Sequence, residues 1–223
     1  MHKVEIPDYV IERIMAKRGK LSVFDHFEPE KTALLVIDMQ NFYVAEVDTA
    51  MGIVPNINRL AGALREAGGK VYWVVMTVAD EEGAPSKWSL YHDYFFTPEK
   101  GKNHKDGLTE GTEKHKLYPE LDVKEEDEIA HKTRFSPFVI GSSDLHERLQ
   151  SQGIENLIVT GTATNMCSES AARDAMMLDY KVVMVIDGNA ARYDEDHLAG
   201  LTSFYQSFGD VKTADDTIAM LSK

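Results

Sequence analysis

The chain has 223 residues and a formal net charge of −13, and Cys167 is its only cysteine. This length allows one large α/β domain, and the negative charge argues against nucleic acid or an anionic membrane as a partner. A lone cysteine excludes an intrachain disulfide. The N-terminal sequence MHKVEIPDYV lacks the layout of a signal peptide, and no apolar run approaches ~18 residues. We therefore expect a soluble, cytoplasmic protein.

Residues 1–30 are predicted to form an N-terminal extension, and residues 31–223 a single domain. Within the extension, apolar residues recur at near-helical spacing in DYVIERIMAKRG. This spacing indicates a short amphipathic helix that ends at Gly19. The helix is expected to pack on the body of the protein or on a partner subunit.

Strand-like and helical runs alternate along the domain. Strands are predicted at 33–37, 70–77, 128–132, 157–159, 181–187 and 210–213, and helices at 54–67, 141–150, 168–178, 194–208 and 214–221. This alternation predicts a doubly wound parallel β-sheet with helices on both faces, which is a Rossmann-like three-layer α/β fold.

The stretch 80–127 shows no clear periodicity and carries several aromatic residues, Trp88 among them. Such a long loop is typical of a functional lid or a mobile segment, and most of its aromatic side chains are expected to anchor it. Its basic residues and His104, between 100 and 105, are predicted to form a solvated charged patch.

Several familiar motifs are missing from the sequence. There is no G-x-G-x-x-G after a strand, no Walker A loop and no G-x-S-x-G elbow, which argues against dinucleotide, P-loop and serine-hydrolase chemistry. The eight histidines lack metal-ligand spacing. We therefore expect neither a metal nor a cofactor.

Three chemically active side chains each follow an apolar strand: Asp38, Lys132 and Cys167. Because ligands bind at the carboxyl ends of parallel strands, all three are expected at one edge of the sheet. Each also has an ordinary interpretation, as a helix cap, a solvent-facing lysine and a buried small side chain. As a set they indicate a nucleophile with a base and a cation, and unpaired N–H groups at the helix N-terminus are expected to favour the thiolate.

The segments VIDMQNFYV, HKTRFSPF and VTGTATNMCSESAARDA together resemble the cysteine hydrolases of the isochorismatase-like superfamily, from about residue 31 onward. The resemblance implies that Asp38, Lys132 and Cys167 are catalytic. It also implies a cis peptide bond between Thr162 and Ala163, and an oxyanion hole made by the N–H groups of Ala163 and Cys167. The strand order is expected to be 3-2-1-4-5-6, and the assembly a homodimer or homotetramer.

Relatives within that superfamily differ in chemistry. Isochorismatases proper lack the cysteine, and nicotinamidases carry metal-binding histidines soon after the first catalytic aspartate, where this sequence has none. The residues around Lys132 and Cys167 look most like those of ureidoacrylate and carbamoyl amidohydrolases, although Ser168 stands where those relatives often have valine.

The resemblance therefore implies a metal-independent cysteine amidohydrolase that cleaves a small ureido, carbamoyl or carboxamide substrate through a thioester. The alternatives are a hydrolase of an ether or ester bond and a non-catalytic binding protein. In the latter, Cys167 is expected to react with iodoacetamide no faster than an ordinary thiol.

Five further residues are candidates for binding the substrate: Asn41, Tyr43, Trp88, Arg134 and Phe135. Arg134 lies two residues after Lys132, so an extended chain directs both side chains to one face. It could bind a substrate carboxylate or form a surface ion pair.

Overall fold

The computed structural model describes residues 2–221. Its strands are β1 (Thr32–Ile37), β2 (Lys70–Met76), β3 (Glu128–Lys132), β4 (Asn156–Thr162), β5 (Lys181–Ala190) and β6 (Asp210–Lys212). They form one parallel sheet in the order β3-β2-β1-β4-β5-β6. The predicted doubly wound α/β fold and the predicted strand order are both confirmed.

Helices connect the strands. They are α1 (Asp8–Arg18), α2 (Asn41–Glu46), α3 (Val54–Glu66), α4 (Ser89–Tyr94), α5 (Pro98–Gly107), α6 (Leu145–Ser151), α7 (Glu169–Met177), α8 (Asp194–Tyr205) and α9 (Ala214–Ala219). A π-helical turn, Thr164–Ser168, joins β4 to α7 and contains Cys167; we call it the Cys167 turn.

The central strands are buried on both faces, as parallel sheets require. Every residue of β1 is buried. Alternate strand residues pack on Leu149 of α6, Ala171 of α7 and Phe204 of α8 on one face. On the other face they pack on α3, through side chains such as Ile57 and Leu64. The sheet is therefore held between two helical layers, with its carboxyl edge left to the connecting loops.

The N-terminal helix packs on the body of the protein. Val10 and Ile14 of α1 are buried against Tyr205 at the end of α8. The helix ends where predicted, because Gly19 adopts φ 72° and donates its N–H to Met15 O at 2.9 Å. A left-handed glycine is the usual way to end a helix.

The expectation that 80–127 has no regular structure is wrong, because α4 and α5 lie within it. The buried positions of α5 are Gly101, His104 and Gly107, so this helix has no apolar face that periodicity could reveal. His104 is buried and is not part of a solvated patch. The short α2 was also missed, and α6 begins at Leu145 rather than at 141–143.

None of the helices in residues 2–221 combines the length and the apolar character needed to cross a membrane.

Gly161 lies where β4 approaches β1 most closely. It has φ +114°, and a Cβ built on it would lie 2.1 Å from Ile37 O. An L-residue would be strained by this φ and would collide with the β1 backbone just before Asp38. Glycine here lets the carboxyl ends of β1 and β4 stay side by side.

We predict that Gly161→Ala lowers the free energy of unfolding by about 2–4 kcal/mol, because the neighbouring strand has to move. Gly62→Ala is the control, since no atom lies within 4 Å of a Cβ there. Inside α3 that change should stabilise by about 0.5–1 kcal/mol. Urea denaturation measures both, and an unchanged free energy in Gly161→Ala would contradict the steric argument.

Candidate active site

The three strand-end residues meet at the carboxyl edge of the sheet. Asp38 follows β1, Lys132 is the last residue of β3, and Cys167 lies in the turn after β4. Asp38 and Lys132 are fully buried, and Cys167 is 5% exposed. Since β2 separates β3 from β1 in the sheet, it takes the length of a lysine side chain to reach across to Asp38.

The Lys132 ammonium group is at the centre of the cluster. Its Nζ donates to Asp38 Oδ2 at 2.8 Å and to Arg134 O at 3.1 Å. Cys167 Sγ lies 3.5 Å from the same Nζ. An ammonium group has three N–H donors, and here each of them has one acceptor: the carboxylate, the carbonyl and the thiol sulfur.

The backbone of Asp38 is held in an uncommon conformation. Its φ is 52°, its N–H donates to Val74 O at 2.8 Å, and its carbonyl accepts from Thr162 Oγ1 at 3.1 Å. Oδ1 is buried and receives no aligned hydrogen bond from the described residues, although the Cys167 thiol is close enough to interact with this carboxylate. One carboxylate oxygen is therefore bonded to Lys132, and the other is available.

Burial controls the protonation of the cluster. It raises the pKa of Cys167, the negative charge of Asp38 raises it further, and Lys132 opposes both effects only in part. The expectation that the helix N-terminus favours the thiolate is therefore wrong for the resting site. Slow reaction with iodoacetamide would consequently not distinguish a binding protein from an enzyme.

The other two groups remain an ion pair. Burial raises the pKa of Asp38, against the attraction of Lys132. For Lys132 burial acts to lower the pKa, but Asp38 and Cys167 outweigh it and raise the value above the usual range. The 2.8 Å contact between Lys132 Nζ and Asp38 Oδ2 is therefore a buried ion pair, beside a Cys167 side chain whose raised pKa favours the thiol.

The Cys167 turn departs from α-helical hydrogen bonding. Ala163 O accepts from Met166 N–H at 3.0 Å and from Ser168 N–H at 3.2 Å, so Ser168 takes the acceptor that an α-helix would give to Cys167 N–H. The peptide bond Thr162–Ala163 is cis, as the resemblance implied. Ser168 is fully buried, and its hydroxyl has no hydrogen-bond partner among residues 2–221.

Aromatic side chains lie beside the cluster. The Trp88 ring lies 4.5 Å from that of Tyr91 and 4.8 Å from that of Phe135. Burial raises the pKa of Tyr91, and an electrostatic interaction with Cys167 adds to this effect, which places the Tyr91 hydroxyl near the thiol. Sequence reasoning chose Trp88 and Phe135 as substrate-binding candidates but counted Tyr91 only among the aromatic residues of the predicted loop, because helix α4 was not predicted.

Arg134 contributes in two ways. Its carbonyl accepts from Lys132, while its guanidinium lies over the Trp88 ring at 5.2 Å and Nη1 donates to Lys87 O at 3.2 Å. Arg134, Trp88 and Phe135 also line a cavity of about 590 Å³ that extends along α7. Arg134 therefore contacts the buried cluster through its carbonyl and lines this cavity with its side chain.

Asn41 and Tyr43, on α2, are placed differently. Asn41 Nδ2 donates to Glu113 O at 2.8 Å and so anchors the loop after α5. The Tyr43 hydroxyl lies 3.5 Å from His104 Nε2. Burial raises the pKa of Tyr43, and electrostatic interactions with Asp38 and Cys167 add to this effect, so the Tyr43 hydroxyl faces the cluster.

Gln40 is a site-supporting residue that sequence reasoning missed. Its Nε2 donates to Met76 O at 3.1 Å and to His115 O at 2.8 Å, and its Oε1 accepts from Met76 N–H at 2.9 Å. It therefore ties the end of β1 to the end of β2. The available signal was an amide side chain two residues after a candidate catalytic aspartate.

Within residues 2–221, no group of three or more His, Cys, Asp or Glu side chains is arranged to hold a metal ion. Metal independence of the reaction stays a prediction.

Comparison with known proteins identifies relatives. The isochorismatase domain model matches residues 32–216. An Arabidopsis thaliana protein named "Probable inactive nicotinamidase" is 37% identical over 178 residues, covering 76% of this chain and 86% of that protein. The ureidoacrylate amidohydrolase RutB of Pseudomonas savastanoi pv. phaseolicola is 30% identical over 231 residues, covering 96% of this chain and 91% of that protein. A crystal structure of a cysteine hydrolase from Pseudomonas syringae pv. phaseolicola superposes with a TM-score of 0.77 and 26% identity, covering 87% of this chain and 94% of that one.

The raised pKa of Cys167 predicts how alkylation depends on pH. Below its raised pKa the Cys167 thiol stays protonated, and each unit by which the pKa is raised lowers the thiolate fraction tenfold. At pH 8 we therefore expect iodoacetamide to alkylate Cys167 at least ~10-fold more slowly in the folded protein than in the unfolded chain. The rate should still be rising above pH 9, where that of the unfolded chain levels off. Intact-protein mass spectrometry follows the reaction, because the chain has one cysteine. A rate that is already level at pH 7 would show a resting thiolate.

Proposed function

This chain belongs to the isochorismatase family, and we propose that it is a metal-independent cysteine amidohydrolase acting on a small ureido, carbamoyl or carboxamide compound. The observation that carries the proposal is the buried cluster in which one ammonium group contacts both a carboxylate and a thiol. A carboxylate with an available oxygen beside a protonated thiol is a base and a nucleophile in the arrangement that acyl transfer needs.

In the first step Asp38 acts as the base. Its Oδ1 takes the thiol proton, Sγ forms a bond to the substrate carbonyl carbon, and the electron pair of the C=O bond moves to the oxygen. Burial assists, because it raises the pKa of Asp38 and so makes the carboxylate a better proton acceptor. Lys132 remains an ammonium and stabilises the anionic sulfur.

The negative oxygen is proposed to bind the N–H groups of Ala163 and Cys167. Support comes from the π-helical turn, in which Ser168 rather than Cys167 donates to Ala163 O. Preorganised N–H donors of this kind commonly contribute a factor of ~10²–10³ to the rate.

Collapse of this intermediate breaks the C–N bond. Asp38 returns the proton to the departing nitrogen, which leaves as an amine or ammonia, and the enzyme is left as an acyl or carbamoyl thioester. Asp38 then takes a proton from water, whose oxygen attacks the thioester carbon. Breaking the C–S bond returns the thiol and releases the acid, which for a carbamoyl group decomposes to ammonia and carbon dioxide.

Two alternatives are weaker. An ether offers no carbonyl for a thiol to attack, so ether hydrolysis would leave Cys167 without a role. A non-catalytic binding protein would have no need to bury an aspartate and a lysine, since removing each charge from water costs several kcal/mol. The name of the Arabidopsis relative describes an inactive nicotinamidase, so similarity to it gives no reason to choose nicotinamide as the substrate.

We further propose that the cavity beside Trp88 and Phe135 receives the part of the substrate that does not react. Its walls are mostly apolar, Arg134 and Arg173 bring positive charge, and Asp174 brings one negative charge. Arg173 is already paired with Glu169, which leaves Arg134 to bind a carboxylate or a second carbonyl. The favoured substrates are therefore N-carbamoyl acids, ureidoacrylate-like and biuret-like compounds.

We predict ammonia release from at least one member of a panel of small ureido, carbamoyl and carboxamide compounds. Intact-protein mass spectrometry during turnover should show an acyl or carbamoyl adduct on Cys167. Cys167→Ser should lose turnover while staying folded, because a serine hydroxyl is far less acidic than a thiol, and Asp38→Asn should be comparably inactive.

Activity should survive treatment with EDTA, and loss that zinc restores would contradict metal independence. Turnover in Cys167→Ser would contradict the nucleophile assignment. Hydrolysis of isochorismate or an ester, with no ammonia from the panel, would favour the ether or ester alternative.

For Arg134 we predict a change in specificity. Arg134→Gln should raise KM for a carboxylate-bearing substrate by about 10- to 100-fold, the effect of losing a charged hydrogen bond. Turnover of a neutral amide should change by less than about 3-fold, the scale of a small surface effect. Equal losses for both substrates would mean that Arg134 only anchors the loop at Lys87.

A further inference from the structure

Helix α8 packs directly behind the Cys167 turn. His197 of α8 and Thr164, the first residue of the turn, are both fully buried. His197 Nδ1 and Thr164 Oγ1 share a hydrogen bond of 2.7 Å. Thr164 lies three residues before Cys167, so this bond holds the start of the turn that carries the proposed nucleophile.

Gly200, one helical turn after His197, brings α8 against the same segment. A Cβ built on Gly200 would lie 3.0 Å from Asn165 Cα. The helix therefore contacts the backbone of Asn165 while it bonds the side chain of Thr164. The turn is held at two consecutive residues.

The N-terminal segment completes this support. The ring of His2 stacks on that of His197 at 4.1 Å, with 13° between the planes. Its Nε2 accepts from Ala191 N–H at 2.9 Å, and its Nδ1 contacts Asp194 Oδ1 at 2.5 Å. Because Nε2 is an acceptor, the proton of His2 is on Nδ1 and donates to Asp194. Both ring nitrogens are satisfied, and the ring is fixed face to face with His197.

We propose that His197 is a positioning residue for Cys167, acting through Thr164, and that His2 holds the His197 ring in place. This inference rests on the proposed function in that it takes Cys167 to be the nucleophile. It assigns the N-terminal segment a part in the reaction, through His2.

The hydrogen bond reaches the turn through Thr164. The Thr164 carbonyl accepts the N–H of Glu169, one of the bonds that form the π-helical turn. Rotation of Thr164 would disturb this bond and shift Cys167 relative to Asp38 and Lys132. Burial, with a smaller contribution from His2, lowers the pKa of His197 to about 3. Its ring is therefore neutral and serves to orient Thr164 rather than to supply protons.

Paired variants of Thr164 separate the hydrogen bond from packing. Thr164→Val keeps the shape and removes the hydroxyl, whereas Thr164→Ser keeps the hydroxyl. We expect Thr164→Val to lower kcat by about 10- to 100-fold, the scale of a misplaced catalytic group, with little change in KM. Thr164→Ser should retain most of the rate.

A second set of variants tests the histidines. His197→Asn can still offer a polar atom near Nδ1 and should keep more activity than His197→Leu. His2→Ala should lower kcat about 5-fold, the effect of roughly one hydrogen bond, and His2→Phe, which can still stack, should lie between it and the wild type. Lys3→Ala is the control, because Lys3 is an exposed residue of the same segment.

Alkylation separates this inference from the proposed function, because it needs no substrate. If the inference holds, the dependence of Cys167 alkylation on pH should differ between Thr164→Val and the wild type, and that of Thr164→Ser should match the wild type. Thermal denaturation verifies that each variant is folded. Folded Thr164→Val and His2→Ala with wild-type alkylation profiles would overturn the inference, whether or not any panel compound is hydrolysed.

Discussion

The ion pair between Asp38 and Lys132 is the constraint on which the rest of the site depends. Both side chains are fully buried, and their 2.8 Å contact is what offsets the loss of hydration. Removing one partner of such a pair typically costs about 3–5 kcal/mol, because the other charge is left buried and unpaired. The two residues come from strands that are not adjacent in the sheet. The relative positions of β1, β2 and β3 must therefore be held closely for the pair to form.

Several features that have no chemical role of their own serve this requirement. Gln40 ties the end of β1 to β2 with two hydrogen bonds and to His115 with a third, and Gly161 lets β4 lie against the end of β1. The hydroxyl of Thr162 bonds the Asp38 carbonyl, and the Arg134 carbonyl accepts the second donor of Lys132. These contacts use backbone atoms and buried polar side chains, whose partners are fixed by the fold. The carboxyl edge of the sheet is therefore cross-linked by hydrogen bonds around the site.

The dependence of the site on contacts between distant segments explains how much of the fold and of the site could be predicted from the sequence. Apolar strands that are buried on both faces leave a clear sequence pattern, so β1, β2 and β5 could be predicted. The residues that follow parallel strands lie at one edge of the sheet, so the meeting of the site residues could be predicted as well. Helix α5 leaves no such pattern, since its buried side is made of Gly101, His104 and Gly107. The role of Gln40 and the position of Tyr91 depend on contacts between distant segments. Protonation was predicted in the wrong direction for Cys167, because the burial of a thiol beside a carboxylate is a property of the packed site and not of its helix N-terminus.

Burial beside Asp38 is the physical origin of the raised pKa of Cys167. The same burial strengthens the attraction between Asp38 and Lys132 and disfavours a free thiolate. A buried thiol resists oxidation better than an exposed thiolate. In the proposed reaction the proton leaves the sulfur only when a carbonyl is in place to accept the new bond. The negative charge then passes to the substrate oxygen, and no exposed thiolate has to accumulate on the enzyme.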